Sequence, residues 1–233
     1  MKNIRDFAKE LSLDVKTIEK LTRDNFNYYH FTIPKGNGRK RLITAPKGKL
    51  KVIQKWILVN YLEKFAVAKC ATAFIKGRRG IEVNAKAHQH NKYILEFDLK
   101  DFFPNIRFWD VQNLFLRMNL NRNISLLFAK LCTYNGYLPQ GAITSPYISN
   151  LMCYDLDLKL LELSNEYNIT YTRYADDLRL LNLSAFCFVM KNRDNYMFFY
   201  SIPKNSLSIN SKFSSERNSF CFSFLSIFIE FVY

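Results

Sequence analysis

The chain has 233 residues, just under half of them apolar, enough to bury one sizeable core or two small ones. Its 34 Lys and Arg against 20 Asp and Glu leave a net charge of +14, which points to a polyanionic partner, nucleic acid or an anionic surface; a solvated basic face is the plain alternative. No apolar run approaches the ~18 residues of a membrane span, the charged start reads as no signal peptide, and five Cys without a CxxC pair form no zinc pattern with the three His, so the expectation is a cytoplasmic protein with reduced thiols and no membrane partner.

Residues 3–24 read as one or two short helices, with Ser12 or Asp14 as N-caps. Residues 26–33 are aromatic and β-branched and suit a strand, Gly36-Asn37-Gly38 signals a turn, and Arg39 to Thr44 resumes as a second strand. This hairpin opens a strongly basic stretch: Lys35 to Lys55 holds eight Lys or Arg and no acid. After Pro46, apolar residues from Leu50 to Leu62 recur at helical spacing. Ile94 to Leu99 makes a short strand ending in acids. Val111–Met118 and Ile124–Cys132 read as helices, and Ser145–Leu163 as one long helix begun by Pro146 near its N-terminus. Ile169–Thr172 and Leu178–Leu183 read as two strands joined by Asp176-Asp177. All seven Gly lie at or before Gly141, and Phe220 to Tyr233 is almost wholly apolar, aromatic or Ser. Residues 213–233 therefore read as an apolar tail, either a buried strand pair or a non-native end.

The chemistry lies in the carboxylates. Asp98 ends an apolar strand, and Asp176-Asp177 sits between two others. Taken alone, an Asp-Asp pair is most often a surface turn. Acids set between apolar strands are costly unless a cation neutralises them. Oxygen donors suit Mg²⁺, which binds through a few carboxylates together with waters and substrate phosphates.

Three motifs in a fixed order carry a family resemblance. Tyr174-Ala175-Asp176-Asp177 resembles the YxDD box of reverse transcriptases, Phe97-Asp98-Leu99-Lys100-Asp101-Phe102-Phe103-Pro104 their first carboxylate motif, and Leu138-Pro139-Gln140-Gly141 with Ser145-Pro146 their LPQG…SP motif. The resemblance implies an α+β fold of basic fingers and a palm in which helices pack on a small antiparallel sheet. It implies a metal triad of Asp98, Asp176 and Asp177, with the Leu99 carbonyl as a further ligand to two Mg²⁺ ions that Mn²⁺ can replace. Phe103 matches the steric gate against a ribose 2′-hydroxyl, and Gln140 and Gly141 the loop beside the incoming dNTP. Arg41 resembles the fingers arginine on the triphosphate, with Lys40 as a neighbour able to share the role, since a guanidinium fork binds phosphate bidentately. Arg39, Lys47, Lys49 and Lys51 are the expected RNA contacts. Asn84-Ala85-Lys86-Ala87-His88 resembles the NAxxH element of retron reverse transcriptases, which gives Asn84 and His88 an RNA-facing or structural role.

By this resemblance, 1–33 is an N-terminal helical segment, 34–92 the fingers, 93–212 the palm and 213–233 a tail where a thumb would start. The implied activity is RNA-directed DNA synthesis on a structured noncoding RNA that serves as template and primer, through an RNA–DNA hybrid, with an effector protein as a further partner in anti-phage defence. Two alternatives stay open: a group II intron-like or other phage-defence reverse transcriptase, and an inactive truncated remnant that only binds RNA.

Overall fold

The computed structural model describes residues 2–23, 27–34, 38–77, 80–89, 94–166, 168–181, 186–191, 197–202, 208–210 and 225–226. In chain order the elements are α1 (Ile4–Glu10), α2 (Val15–Arg23), β1 (Tyr28–Pro34), β2 (Lys40–Pro46), α3 (Gly48–Asn60), α4 (Gly80–His88), β3 (Ile94–Leu99), α5 (Phe102–Asn105), α6 (Phe108–Arg117), α7 (Arg122–Cys132), α8 (Ser145–Met152), α9 (Tyr154–Glu166), β4 (Thr170–Tyr174), β5 (Asp177–Leu181), β6 (Phe186–Lys191), β7 (Met197–Ile202), β8 (Ser208–Asn210) and β9 (Leu225–Ser226). Helices beside small antiparallel sheets make this the α+β class.

The chain divides into two compact units, each discontinuous in sequence. One comprises Met1–Ala66 and Phe103–Leu151, the other Val67–Phe102 and Met152–Tyr233. The contiguous division at 33/34, 92/93 and 212/213 is not the one the packing makes. The reason is visible in the first unit. Phe128 of α7 lies edge-on to Phe7 of α1 at 5.1 Å, Phe115 of α6 at 5.3 Å and Tyr61 at 5.1 Å, so helices expected in the palm share a core with the N-terminal segment. Each such pair adds about 0.5–1.5 kcal/mol beyond its buried area.

Local chemistry explains the element ends. Asn3 accepts hydrogen bonds from the Arg5 and Asp6 amides at the start of α1. Asp14 accepts from the Thr17 amide at 2.8 Å, which makes it, rather than Ser12, the cap of α2. Asn121 caps α7 through the Ile124 amide. In α3, Leu50, Ile53, Gln54 and Ile57 are buried, one face of a helix at i, i+3, i+4, i+7. β1 and β2 pair from Tyr28↔Pro46 to Pro34↔Lys40. The Gly36-Asn37 part of the expected turn lies outside the described residues.

The second unit is built on a four-stranded antiparallel sheet in the order β4-β5-β3-β9. β6, β7 and β8 form a separate three-stranded sheet. Only Leu225 and Ser226 of the expected tail are described; they pair with Leu99 and Asp98 at the edge of β3. The rest of that expectation lies outside the described residues.

One expected element is corrected and one was missed. The single helix over 145–163 is two, α8 and α9, with Cys153 between them. No Gly or Pro marks the break, and the Cys153 carbonyl accepts the Asp157 amide at 2.8 Å as α9 begins. The division between the compact units falls close by, between Leu151 and Met152 at the end of α8. The helix α4 was not anticipated, although Asn84 and His88 stand one turn apart and both are buried. Among the described residues, no helix is long and apolar enough to cross a membrane, and Cys70, Cys132 and Cys153 are buried free thiols.

Candidate functional site

In the second unit the strand register brings the acids together. Asp98 stands directly opposite Asp177 across β3 and β5, and Glu96 opposite Arg179 two residues away on the same face. Asp176 lies in the turn between β4 and β5, and its carbonyl accepts the Leu99 amide at 3.0 Å, tying the turn to the end of β3. Phe97, Leu178 and Leu180 are buried on the opposite face, which fixes the register. Asp98 is exposed and Asp176 and Asp177 are half-buried.

The electrostatics show unbalanced negative charge. The Asp177 carboxyl is pushed up to about 6, chiefly by burial and then by Asp176, Glu96 and Asp98, with Arg179 opposing. Arg179 is engaged by Glu96, with contacts of 2.6 and 3.0 Å to one carboxylate oxygen. Among the described residues, no three His, Cys, Asp or Glu side chains are gathered closely enough to cage a metal by themselves. An all-oxygen donor set with excess negative charge, left incomplete by the protein, fits a hard divalent cation whose shell is finished by waters and substrate phosphates.

The strand leading into the turn is polar inside. Arg173 and Asp157 of α9 are both fully buried. The guanidinium Nε and Nη2 donate to the two Asp157 oxygens at 2.8 and 2.7 Å, and Nη1 donates to the Ala175 carbonyl at 2.9 Å. The Tyr171 hydroxyl also donates to Asp157, at 2.9 Å; burial pushes its pKa well up, and the Asp157 charge adds to the effect. On the other face of β4, the Thr172 hydroxyl donates to Asn84 at 3.0 Å and meets His88 Nε2 at 2.6 Å. Asn84 and His88 are 2% and 6% exposed. Both side chains are buried against Thr172, which is the arrangement a structural role would use, while His88 Nδ1 has no hydrogen-bond partner among the described residues.

In the first unit, β2 and the Leu138-Pro139-Gln140-Gly141 segment come together. The Thr44 amide donates to the Gln140 carbonyl at 2.7 Å. Gly141 has φ +111, and a Cβ there would lie 2.6 Å from Ile43 Cγ2. Only glycine allows both that backbone and that approach. Beneath the segment, fully buried Gln54 donates to the Leu131 carbonyl at 2.8 Å and accepts the Ile143 amide at 3.1 Å. Arg39, Lys40 and Arg41 are exposed on the same hairpin. Lys47 and Lys49 line a cavity of about 550 Å³ with Lys20 and Tyr29, and the Lys47 ammonium lies 5.1 Å from the Tyr29 ring centre. Lys51 is exposed on α3, and Phe103 is half-buried in α5.

Asp157, Arg173, Thr172 and Gln54 were not anticipated as parts of the site. The available signal was polar residues inside apolar patterns: Asp157 between Leu156 and Leu158, and Arg173 alternating with Tyr171 along a strand.

The family model for reverse transcriptase (RNA-dependent DNA polymerase) matches residues 33–184. The chain is 38% identical to the retron Ec86 reverse transcriptase of Escherichia coli over 91% of this chain and 66% of that protein. It is 41% identical to the retron Mx162 reverse transcriptase of Myxococcus xanthus, over 65% of this chain and 35% of that protein. It is 38% identical to the E. coli retron Ec73 reverse transcriptase, over 63% and 50%. The chain thus matches between about a third and two thirds of the length of these relatives. Among solved structures, telomerase from Candida albicans in complex with a telomeric RNA fragment aligns over 67% of this chain and 38% of that one, with a TM-score of 0.44 and 9% identity, a likeness too slight to support an argument. The match over most of the chain, on a sheet whose register sets Asp98 against Asp177, shows that this protein belongs to the reverse transcriptase family, and the three relatives above are retron enzymes.

Proposed function

We propose that this chain is an RNA-directed DNA polymerase of the retron type, adding dNTPs to a 3′-hydroxyl on a structured noncoding RNA. The observation that carries the reading is the pairing of Asp98 with Asp177 beside Asp176, three carboxylates held at one end of one sheet. In this reading they hold two divalent cations, Mg²⁺ or Mn²⁺, with the Leu99 carbonyl alongside. Bound there, such ions lower the pKa of an attacking hydroxyl and stabilise a leaving pyrophosphate. The protein's part is to fix the carboxylates on rigid strands, with an excess of negative charge that a bound cation would offset.

The remaining roles are those the family resemblance implies. Arg41, with Lys40 beside it, neutralises the triphosphate. Gln140 and Gly141 line the nucleotide, where a glycine lets backbone come close. Phe103 excludes a ribose 2′-hydroxyl. Arg39, Lys47, Lys49 and Lys51 bind RNA phosphates, and Tyr29 offers a face on which a base can stack. The product is a branched RNA–DNA when a 2′-hydroxyl primes, and the setting is phage defence with an effector protein.

Primer extension on an RNA template tests the reading. Incorporation by the intact chain that falls by about 10⁴-fold, roughly 5 kcal/mol, in Asp176→Ala and Asp177→Ala is the expected result. An intact chain that binds RNA but incorporates nothing would instead be the RNA-binding remnant.

A further inference from the structure

The sequence contains two features that the catalytic carboxylates do not use: the NAxxH element and the buried arginine before the acidic turn. They meet on one strand. β4 alternates its faces, so Tyr171 and Arg173 point one way and Thr172 the other. On the first face Arg173 spends its Nε and Nη2 donors on Asp157 and its Nη1 donor on the Ala175 carbonyl. On the second, one hydroxyl is shared between Asn84 and His88 of α4. The Thr172 hydroxyl donates to Asn84 and faces His88 Nε2 at 2.6 Å, so one side chain ties both to β4.

The backbone is held as firmly. The Arg173 amide donates to the Cys70 carbonyl at 2.9 Å, and the Thr72 amide and hydroxyl donate to the Arg173 carbonyl at 2.8 and 3.1 Å. The start of α4 sits against the same segment: a Cβ on Gly80 would be 2.0 Å from the Thr72 carbonyl oxygen.

The turn needs such support. Ala175 has φ +58, a left-handed backbone that costs a non-glycine residue on the order of 1 kcal/mol or more. Its carbonyl is captured by Arg173, and the next carbonyl, of Asp176, by the Leu99 amide. A buried ion pair is poor value as stabilisation, since apolar residues of similar size would serve as well. A planar guanidinium that bridges a helix carboxylate and a turn carbonyl supplies direction instead.

We infer that Arg173 and Asp157 on one face of β4, and Thr172, Asn84 and His88 on the other, are positioning residues that set the angle at which Asp176 and Asp177 present their carboxylates to a divalent cation. The inference rests on the reading of those aspartates as metal ligands. It gives the NAxxH element an internal role in this chain, that of a brace behind the acidic turn.

The test uses the full chain and reads metal affinity as well as turnover. Thr172→Val keeps the shape and removes the hydroxyl; Thr172→Ser restores it; Asn84→Ala removes one partner and leaves the strand untouched should Thr172→Val fail to fold. The half-activating Mg²⁺ concentration in primer extension, and the Mn²⁺ dissociation constant by electron paramagnetic resonance, should each rise about fivefold in Thr172→Val or Asn84→Ala, the worth of one lost hydrogen bond, and return in Thr172→Ser. The KM for dNTP should hold. A merely structural role would lower the number of active molecules and leave both metal constants unchanged, and that outcome overturns the inference, as does a Thr172→Ser variant that fails to recover them. An intact chain that binds Mn²⁺ without extending primers would sink the polymerase reading and leave this comparison standing on Mn²⁺ affinity. An intact chain that binds no Mn²⁺ would sink both.

Discussion

Two hairpins of this protein use the same backbone geometry for opposite purposes. β1–β2 pairs over seven residues and is nearly bare: beyond Tyr28, β1 is exposed along its length, with Tyr29, Phe31 and Ile33 open to solvent and Lys40 and Arg41 on the partner strand. β4–β5 pairs over five residues and is built into the second unit, with Tyr171, Thr172 and Arg173 buried and α4 and α9 supplying their partners. The basic hairpin keeps its charges in water, where they can meet phosphate at little desolvation cost. The acidic hairpin carries its charges at a partly buried turn, where burial first and mutual repulsion second raise Asp177, and the charge must be balanced by fixed partners or by a cation. Exposure makes the first a mobile-ligand surface. Burial makes the second a rigid mount.

The comparison breaks most visibly when the mount is cut. Asp157→Asn removes the charge that pairs with a guanidinium 0% exposed to solvent, and unfolding should cost about 3–5 kcal/mol less in chemical denaturation. A variant as stable as the parent would mean that the pair is not the support its geometry implies. Arg41→Ala on the bare hairpin should change stability by under about 0.5 kcal/mol in the same experiment.

Acid should weaken the buried hairpin next. Burial and the nearby Arg179 hold His88 down at about 4, with Glu96 opposing, against about 6.5 unfolded. Between those values the unfolded chain binds the proton and the folded one does not. The contribution is therefore complete above pH 6.5 and is lost as pH falls toward 4, by about 3 kcal/mol at most. Denaturation midpoints across pH 4 to 7 in the parent and in His88→Gln check it: the variant should lack this component of the slope.

The smallest effects belong to the exposed hairpin and its flank. Arg41→Ala should raise the dNTP KM about tenfold with folding intact, the loss of one bidentate phosphate contact. Lys47→Ala or Lys49→Ala should each weaken RNA binding and reduce the slope of log affinity against log salt by about one. An affinity that is flat between low and high salt would show that the basic stretch does not track phosphate.

Much of the site was legible because its chemistry is local in sequence. Asp176 and Asp177 are adjacent, Asp98 ends a clear apolar strand, and Gln140 and Gly141 stand together in one short motif. The support was not legible, since each member is polar and its partner is distant in the chain: Asp157 and Arg173 are 16 residues apart, and Asn84 and Thr172 are 88. Nothing in periodicity separates a buried ion pair from a solvated one. The same limit applied to the units, where aromatic contacts rather than chain order joined α6 and α7 to the N-terminal segment.

The sequence by itself determined the α+β class, the basic character of residues 35–55, the strands that carry the carboxylates and the family. These depend on composition, short periodicities and motifs whose physical meaning is local. Only the tertiary structure decided that Asp98 faces Asp177, that α8 and α9 are separate, and that Asn84 and His88 turn inward to Thr172. Each of those depends on which side chain fills the space opposite another, and that is a property of packing between segments far apart in the chain.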